Sequence, residues 1–369
     1  GVIGCGLMGR EFASASARWL HLLDLDFKPE IVAACDPNPQ ALGWFQQALP
    51  LELSTADYRE LLNHDLDAVY CAVPHNLHEE IYVEIILSGK HLLAEKPFGI
   101  DLGACERIIE SVRLHPEVLV RCSSEFPFFP GAQRIVKAIA EGALGRVIEV
   151  GAGFLHSSDL DPGKPINWKR RVETCGQYGV MGDLGMHVVH VPFRSGWTPK
   201  NVRSLLSNIV PERSGEPCDT WDNATLACEV EADGATFPMI LETKRIAPGE
   251  TNTWYLRVFG TELSLEFSTK RPKTLRSLSY SPGAKQIWGE EDLGYSGAYP
   301  AVTGGIFEFG FPDAILQMWA AFCDELVARE EGRPMKQPFI CATPDEALLS
   351  HRLFSSALTS QERGSTEPL

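Results

Sequence analysis

The chain has 369 residues, 44 % of them hydrophobic and 22 % charged, with 33 Lys and Arg against 49 Asp and Glu and a formal net charge of −16 at pH 7. That length accommodates two domains with sizeable cores, in a composition ordinary for a globular protein. The acidic balance argues against nucleic acid or an anionic membrane as partner, Lys169-Arg170-Arg171 being too short a basic run to reverse it, and no apolar stretch reaches the ~20 residues that cross a bilayer.

The chain opens on Gly4-Cys5-Gly6-Leu7-Met8-Gly9, directly after the apolar Val2-Ile3 and directly before a helical pattern in which Phe12, Ala15, Trp19 and Leu22 recur. Strand, then G-x-G-x-x-G, then helix is how a dinucleotide-binding unit seats a pyrophosphate. The first glycine makes the tight turn, the second admits phosphate to the backbone, and the third packs helix on strand. The helix N-terminus then favours the anion through its free N–H groups and its dipole. Alone the motif is weak, since a glycine-rich turn need hold nothing. Because the first strand already begins at Val2, a short segment or an export signal ahead of Gly1 is left open.

Ile31–Cys35 reads as a buried strand ending at Asp36. An acidic residue there accepts hydrogen bonds from an adenosine ribose, although as a turn residue before Pro37 it needs no ligand. A ribose phosphate would meet the Asp36 charge, and Pro37-Asn38-Pro39-Gln40 supplies no cation, so NAD is favoured over NADP. Helices follow near Gln40–Ala48 and Asp57–Leu62, then the strand Ala68–Val73, a helix Leu77–Ser88, the strand His91–Ala94, a helix Gly103–Arg113 and the strand Val118–Val120. Short apolar strands alternating with helices make an α/β domain with a doubly wound parallel sheet. Ligands bind such sheets at the carboxyl edge. Val73-Pro74-His75-Asn76-Leu77-His78 lies there, Val73, Pro74, Asn76 and His78 being candidate cofactor contacts, while Asn76 serves equally well as a helix cap. Glu95-Lys96-Pro97 ends the next strand on the same edge, where Lys96 can hold an alcohol and Glu95 a ribose hydroxyl. For those three residues alone a surface ion pair is the plainer reading.

The pattern changes near Cys122, dividing the chain into a dinucleotide domain, 1–122, and an α+β domain, 123–369. A helix at Gly131–Ala140 precedes longer strands at Val147–Phe154, Ala224–Val230, Pro238–Thr243, Trp254–Phe259 and Glu262–Phe267, an open, mainly antiparallel sheet with helices on one face and a hairpin turn at Gly260-Thr261. Gly283–Pro312, rich in Gly, Tyr and Pro, reads as a long loop of the kind that closes over sites. Helices return at Ala314–Arg329 and Asp345–Ser360, the second placed to pack back on the first domain, before a polar tail at Gln361–Leu369. Ten cysteines without a C-x-x-C pair are a reduced, cytosolic inventory.

In Gly176–His190, Asp183, His187 and His190 fall at i, i+4 and i+7 on one helix face. Glycines at 179, 182 and 185 each cost a helix about 1 kcal/mol relative to alanine, so something flat or bulky approaches that backbone. A carboxylate one turn before a histidine orients the imidazole for proton transfer. Zinc is the rival for Asp-His-His, and the lack of a fourth ligand at suitable spacing disfavours it, so no metal is expected.

Together the glycine turn, Asp36, Glu95-Lys96-Pro97 and the G-x-x-x-D-x-G-x-H helix resemble the Gfo/Idh/MocA family, the glucose–fructose oxidoreductase and inositol dehydrogenase group. Phe259–Leu265 and the helix start Thr343-Pro344-Asp345-Glu346-Ala347 add to the likeness, which covers nearly the whole chain. The resemblance implies a Rossmann domain followed by an open sheet that supports a homodimer or homotetramer, a catalytic set of Lys96, Asp183 and His187, and a cis bond at Lys96-Pro97. It also marks departures on the substrate side: Glu125-Phe126-Pro127 where an Asn-Tyr-Arg type segment is common, Trp168-Lys169 for Trp-Arg, and His190 for an aspartate. Glu125, Trp168 and Lys169 thereby join Lys96, Asp183 and His187 as candidate substrate contacts.

The reading is an NAD-dependent oxidoreductase acting on a secondary alcohol of a sugar, cyclitol or related polyol. His187 takes the hydroxyl proton, Lys96 steadies the oxygen and Asp183 orients His187. Two other classes fit the same framework. A glycosidase using NAD transiently would cleave a nitrophenyl glycoside without net NADH, and a non-catalytic sugar or nucleotide sensor would have no need of Lys96, Asp183 and His187.

Overall fold

The computed structural model describes residues 1–232 and 234–369. Six parallel strands, β1 (Val2–Ile3), β2 (Ala33–Cys35), β3 (Leu53–Thr55), β4 (Ala68–Cys71), β5 (His91–Ala94) and β6 (Val120–Cys122), form one sheet in the order β3-β2-β1-β4-β5-β6. Their side chains are buried on both faces, as the continuous apolar runs require. The strand order reverses beside β1, between β2 and β4, which opens a crevice at the carboxyl ends of these strands.

Helices α1 (Leu7–Ala17), α2 (Pro39–Ala48), α3 (Tyr58–Leu62), α4 (His78–Leu87) and α5 (Leu102–Leu114) connect the strands. Local chemistry sets their starts: Asn38 accepts from the Gln40 N–H with Pro39 in the first turn of α2, Asp57 accepts from the Arg59 N–H for α3, and Asp101 from the Ala104 N–H for α5.

Beyond Cys122 come α6 (Pro130–Ala140), β7 (Val147–Leu155), α7 (Val172–Cys175), α8 (Val180–Arg194), β8 (Pro199–Ser207), β9 (Glu212–Arg213), β10 (Glu216–Pro217), β11 (Asn223–Ala232), β12 (Ala235–Lys244), β13 (Thr253–Gly260), β14 (Leu263–Ser268), β15 (Thr274–Ser279), β16 (Gly289–Asp292), α9 (Phe311–Glu331), α10 (Pro344–Arg363) and β17 (Glu367–Pro368). Nine of these strands make a second sheet ordered β16-β15-β14-β13-β7-β12-β11-β8-β17, antiparallel except for the β7–β12 pair. The alternating burial of Phe237, Met239, Leu241 and Thr243 on β12 marks the inner face of the sheet, where β12 packs on α8 and β14 on α6.

α10 starts at a capping box, Thr343 Oγ1 accepting from the Glu346 N–H and the Glu346 carboxylate accepting from the Thr343 N–H. It spans both layers, its first turns packing on α5 and β6 of the first domain and Leu353 and Phe354 on α8 of the second.

Three expectations of connection need correcting. The turn between β13 and β14 is Thr261-Glu262, because Gly260 still pairs with Val147. Gly283–Pro312 contains β16 and folds along the first domain, with the Leu23 N–H bonding the Pro300 carbonyl and the Val302 N–H bonding the His21 carbonyl, so it covers no part of the crevice described below. The polar tail is ordered: α10 runs to Arg363 and β17 pairs with β8. All ten cysteines are free and buried.

Candidate active site

A cavity of about 800 Å³ follows the crevice from α2 to α8. Gly4, Gly6, Leu7 and Met8 form one wall, Asp36 the second, Val73 and Pro74 the third, and Glu95, Lys96, Trp168, Lys169 and Asp183 the far end. Each glycine of the turn has its own reason. Gly4 has φ +95° and lies against the Ala72 backbone, and a side chain at Gly9 would strike the Gly4 carbonyl and approach Phe45. A Cβ on Gly6 would meet only open cavity. Gly6 therefore leaves room for a phosphate beside the N-terminus of α1, which carries no side-chain cap. That cradle fits the pyrophosphate of a dinucleotide, and Gly9 serves it by packing rather than by contact.

The Asp36 carboxylate is held by the turn it faces, Oδ2 accepting from the Cys5 N–H at 2.7 Å and Oδ1 from the Asn38 N–H at 2.8 Å. The sequence reading missed the neighbouring wall of Tyr58, Glu80 and Ile81, and His75. His75 Nδ1 bonds the Cys175 carbonyl at 3.0 Å, and its ring stands edge-on to Trp168 with centroids 4.8 Å apart.

Two residues of the Val73–His78 loop are placed differently from the expectation. Asn76 is exposed, lies off the cavity wall and does not cap α4, whose cap position is Leu77 without a side-chain bond. His78 is buried behind the loop, its Nε2 against the Val73 carbonyl at 3.0 Å and its ring stacked on Tyr82. Burial holds its pKa down to about 3, so it supports the loop as a neutral imidazole.

Glu95 is fixed from the core of the first domain. Tyr70 donates to its carboxylate at 2.7 Å and Tyr82 to its main-chain oxygen at 2.8 Å. The next residue, Lys96, precedes a cis peptide bond to Pro97 and points at α8. Its Nζ donates to the Asp183 carbonyl at 2.6 Å and to Asp183 Oδ1 at 3.2 Å. Lys169 Nζ lies 2.9 Å from the same Oδ1, and Arg245, at the end of β12, closes on Oδ2. One buried carboxylate thus gathers three cations. Burial lowers the pKa of Lys96, opposed by Glu95 and Glu125, and lowers that of Lys169 further, aided by the Arg245 charge.

Lys169 is aimed by its neighbour. Arg170 is fully buried, donating to the Thr220 and Val210 carbonyls, to Asn208 Oδ1 and to Asp222 Oδ2 at 2.8–3.2 Å. With Arg170 anchored in the second domain, Trp168 and Lys169 turn to the cavity. Sequence reasoning also missed Arg170 and Arg245; the paired cations Lys244-Arg245 at the end of the expected strand were the one available sign of Arg245.

The expectation that Asp183 orients His187 is corrected. With its carboxylate committed to Lys96, Lys169 and Arg245, the Asp183 side chain forms no hydrogen bond to the His187 imidazole among the described residues. The imidazole sits in an apolar slot, edge-on to Phe126 and Phe154 with centroids 5.2 and 5.4 Å away, while Trp254 Nε1 donates to the His187 carbonyl at 2.8 Å. Its nearest carboxylate is Glu125, Oε2 standing 3.8 Å from Nδ1. Both are buried beyond the cavity wall. Burial holds the His187 pKa well below its ordinary value and pushes the Glu125 carboxyl up to about 8.

His190 points away, stacked on Phe339 with Nε2 3.9 Å from Glu346. Among the described residues no group of three His, Cys, Asp or Glu side chains is arranged to hold a metal. The helix glycines answer to protein, Gly185 lying under the Phe354 ring of α10 and Gly182 beside Tyr178 and Pro97.

Comparison with known proteins agrees with this fold. Residues 1–121 match the oxidoreductase family with an NAD-binding Rossmann fold, and residues 132–266 match the GFO/IDH/MocA C-terminal domain. A levoglucosan dehydrogenase of Pseudarthrobacter phenanthrenivorans is 26 % identical over 296 residues, 75 % of each chain. Glucose-6-phosphate 3-dehydrogenase of Bacillus subtilis is 23 % identical over 277 residues, 74 % of this chain and 75 % of that one. Among solved structures, levoglucosan dehydrogenase in complex with NADH superposes with a TM-score of 0.87 at 23 % identity, over 100 % of this chain and 98 % of the other. No described helix is long and apolar enough to cross a membrane. With both of its halves matched, the chain belongs to the Gfo/Idh/MocA oxidoreductases, enzymes with an NAD-binding Rossmann domain.

Proposed function

We propose that the chain is a dehydrogenase that moves a hydride between a secondary alcohol of a sugar, cyclitol or related polyol and NAD. The observation that carries this reading is the convergence of Lys96, Lys169 and Asp183 at the end of the cavity that begins at the glycine turn. NAD, when bound, supplies the hydride acceptor. Gly4, Gly6, Leu7 and Met8 would hold its pyrophosphate, Asp36 its adenosine ribose, Val73 and Pro74 the chain between, and Glu95 the nicotinamide ribose. Among the described residues no basic side chain is bonded to Asp36, which favours NAD over NADP.

At the reacting carbon, Lys96 donates a hydrogen bond to the alcohol oxygen and stabilises negative charge as the hydride leaves. His187 takes the hydroxyl proton. Asp183 does not touch His187 but sets the position of Lys96 and Lys169, and Trp168 and Lys169 close the substrate side. Curated relatives named levoglucosan dehydrogenase and inositol 2-dehydrogenase support a sugar or cyclitol as substrate.

Assembly as a homodimer or homotetramer is part of the same proposal. The outer face of the second sheet carries Ile240, Tyr255 and Phe259, half-buried and without helices of their own, and suits another copy of the chain. Light scattering at micromolar concentration tests it, a monomer counting against it. For the activity, a panel of sugars and cyclitols assayed with NAD and NADP is the direct test. NADH formation with at least one polyol is expected; cleavage of a nitrophenyl glycoside without net NADH would overturn the reading.

A further inference from the structure

Two buried polar atoms face each other beside the substrate end of the cavity, and among the described residues neither has a hydrogen-bond partner: Glu125 Oε2 and His187 Nδ1, 3.8 Å apart. Unpaired groups this deeply buried are costly, so such a pair calls for a purpose. A shortening of roughly 1 Å brings them to hydrogen-bond distance, and catalytic contacts are often long until the substrate binds. Asp183, one turn before His187, is not available for this task because its carboxylate is committed to three cations.

We propose that Glu125 is the positioning residue for His187, its carboxylate receiving the Nδ1 proton as the alcohol proton arrives at Nε2. The inference rests on the dehydrogenase reading above. The proton balance is simple. The alcohol O–H bond breaks and its proton joins Nε2, the Nδ1–H bond breaks and that proton joins Glu125, and the C–H electron pair leaves as hydride to NAD. The imidazole ends neutral with its proton on the other nitrogen, and the buried imidazolium is avoided. Carbonyl reduction runs the same path backwards from protonated Glu125.

The surroundings support this direction of transfer. The titratable groups that act on the pair through their charge are Glu95, Lys96 and Tyr70 from the first domain, His156 after β7, Lys169 from the Trp168 turn and, from behind, His190 on α8. From α9 the neighbour of the Glu125 loop is the uncharged Met318, whose Sδ accepts from the Ser124 N–H. In this setting the carboxyl titrates at about 8 and the imidazole well below its usual range, so a proton shared by the two rests on Glu125.

Two measurements on the NAD-loaded protein test the proposal. In wild type, kcat for alcohol oxidation should rise with pH through an ionisation near 8. Glu125→Gln should lose that ionisation and on the order of 10²-fold in kcat while retaining NAD affinity, and Glu125→Asp should recover part of the rate. The second reads the imidazole by nitrogen NMR, assigned with His187→Asn. His187 should carry its proton on Nε2 below pH 8 and on Nδ1 above it, and Glu125→Gln should abolish the switch. A Glu125→Gln enzyme with unchanged kcat and pH profile overturns the proposal and leaves the dehydrogenase reading standing. If no polyol is oxidised, that reading fails, and the wild-type tautomer switch still decides the pairing: a fixed tautomer from pH 6 to 10 refutes it.

Discussion

The Lys96 ammonium reaches a residue 87 positions further along the chain, donating at once to the carbonyl and to the carboxylate of Asp183. This one contact joins the loop after β5 of the first sheet to α8 of the second domain. It gives the carboxylate a task that its i, i+4 spacing from His187 does not suggest.

Asp183→Asn should therefore act first on the cations. It leaves Lys96, Lys169 and Arg245 facing one another without their counter-charge. Removing one partner of a buried ion pair costs about 3–5 kcal/mol. Denaturant unfolding should show a loss of that size, together with a lowered kcat. A variant as stable as wild type would mean that the cations do not depend on this carboxylate.

The two histidines of α8 should separate cleanly. His187→Ala is expected to lower kcat by ~10²–10⁴-fold with NAD affinity nearly unchanged. His190 lies against Phe339 and away from the cavity, so His190→Ala should cost stability by packing loss, about 1–3 kcal/mol, and far less activity. Steady-state kinetics beside thermal unfolding distinguishes the two outcomes.

Cofactor choice should turn on Asp36. Replacing Asp36 with Ser and Asn38 with Arg removes the repelling charge and adds a phosphate partner, and should move kcat/KM towards NADP. A wild type that already prefers NADP would contradict the assignment of Asp36 to a ribose.

Glu125 should leave a mark on stability as well as on rate. The folded protein keeps its carboxyl protonated up to about 8, while the unfolded chain ionises near its ordinary 4.5. Between those values folding takes up a proton, so stability falls as pH rises, by about 1.4 kcal/mol per unit for this group, and levels off above 8. Glu125→Gln removes the term. Its Tm gain over wild type should be small at pH 5 and largest at pH 8 or above; an equal gain at both would disprove the linkage.

Gly185→Ala should be a purely structural lesion. Its Cβ would enter the Phe354 ring, an overpacking worth about 1–3 kcal/mol. Lower Tm with unchanged KM for NAD is the expected result in a thermal melt and a cofactor titration.

The first domain was legible because its signals are local. Short buried apolar strands, the helical spacing between them and the glycine turn each announce themselves within a few positions. In the second domain the paired strands β11 to β14 show alternation, but β8 hides it, with Ser204 turned inward and Leu205 outward, and β15 and β16 turn few residues inward. The candidate site divides the same way. Lys96 and Asp183 were named from motifs, whereas Arg245 and the Arg170 anchor depend on contacts 38 or more residues apart, which spacing cannot reveal. Asp183 and His187 share a helix face, and that periodicity is real. What it could not show is that the three cations capture the carboxylate first.

α10 contributes nothing to the cavity wall, yet His351 Nε2 rests on the Pro97 carbonyl at 2.5 Å while Phe354 covers Gly185. One late helix thus braces both the lysine loop and the histidine helix. A chain halted before Pro344 would hold every residue of the pocket and lack the brace that sets their spacing. On a ribosome, competence for chemistry should arrive only with the last turns of the polypeptide, long after the dinucleotide fold has emerged.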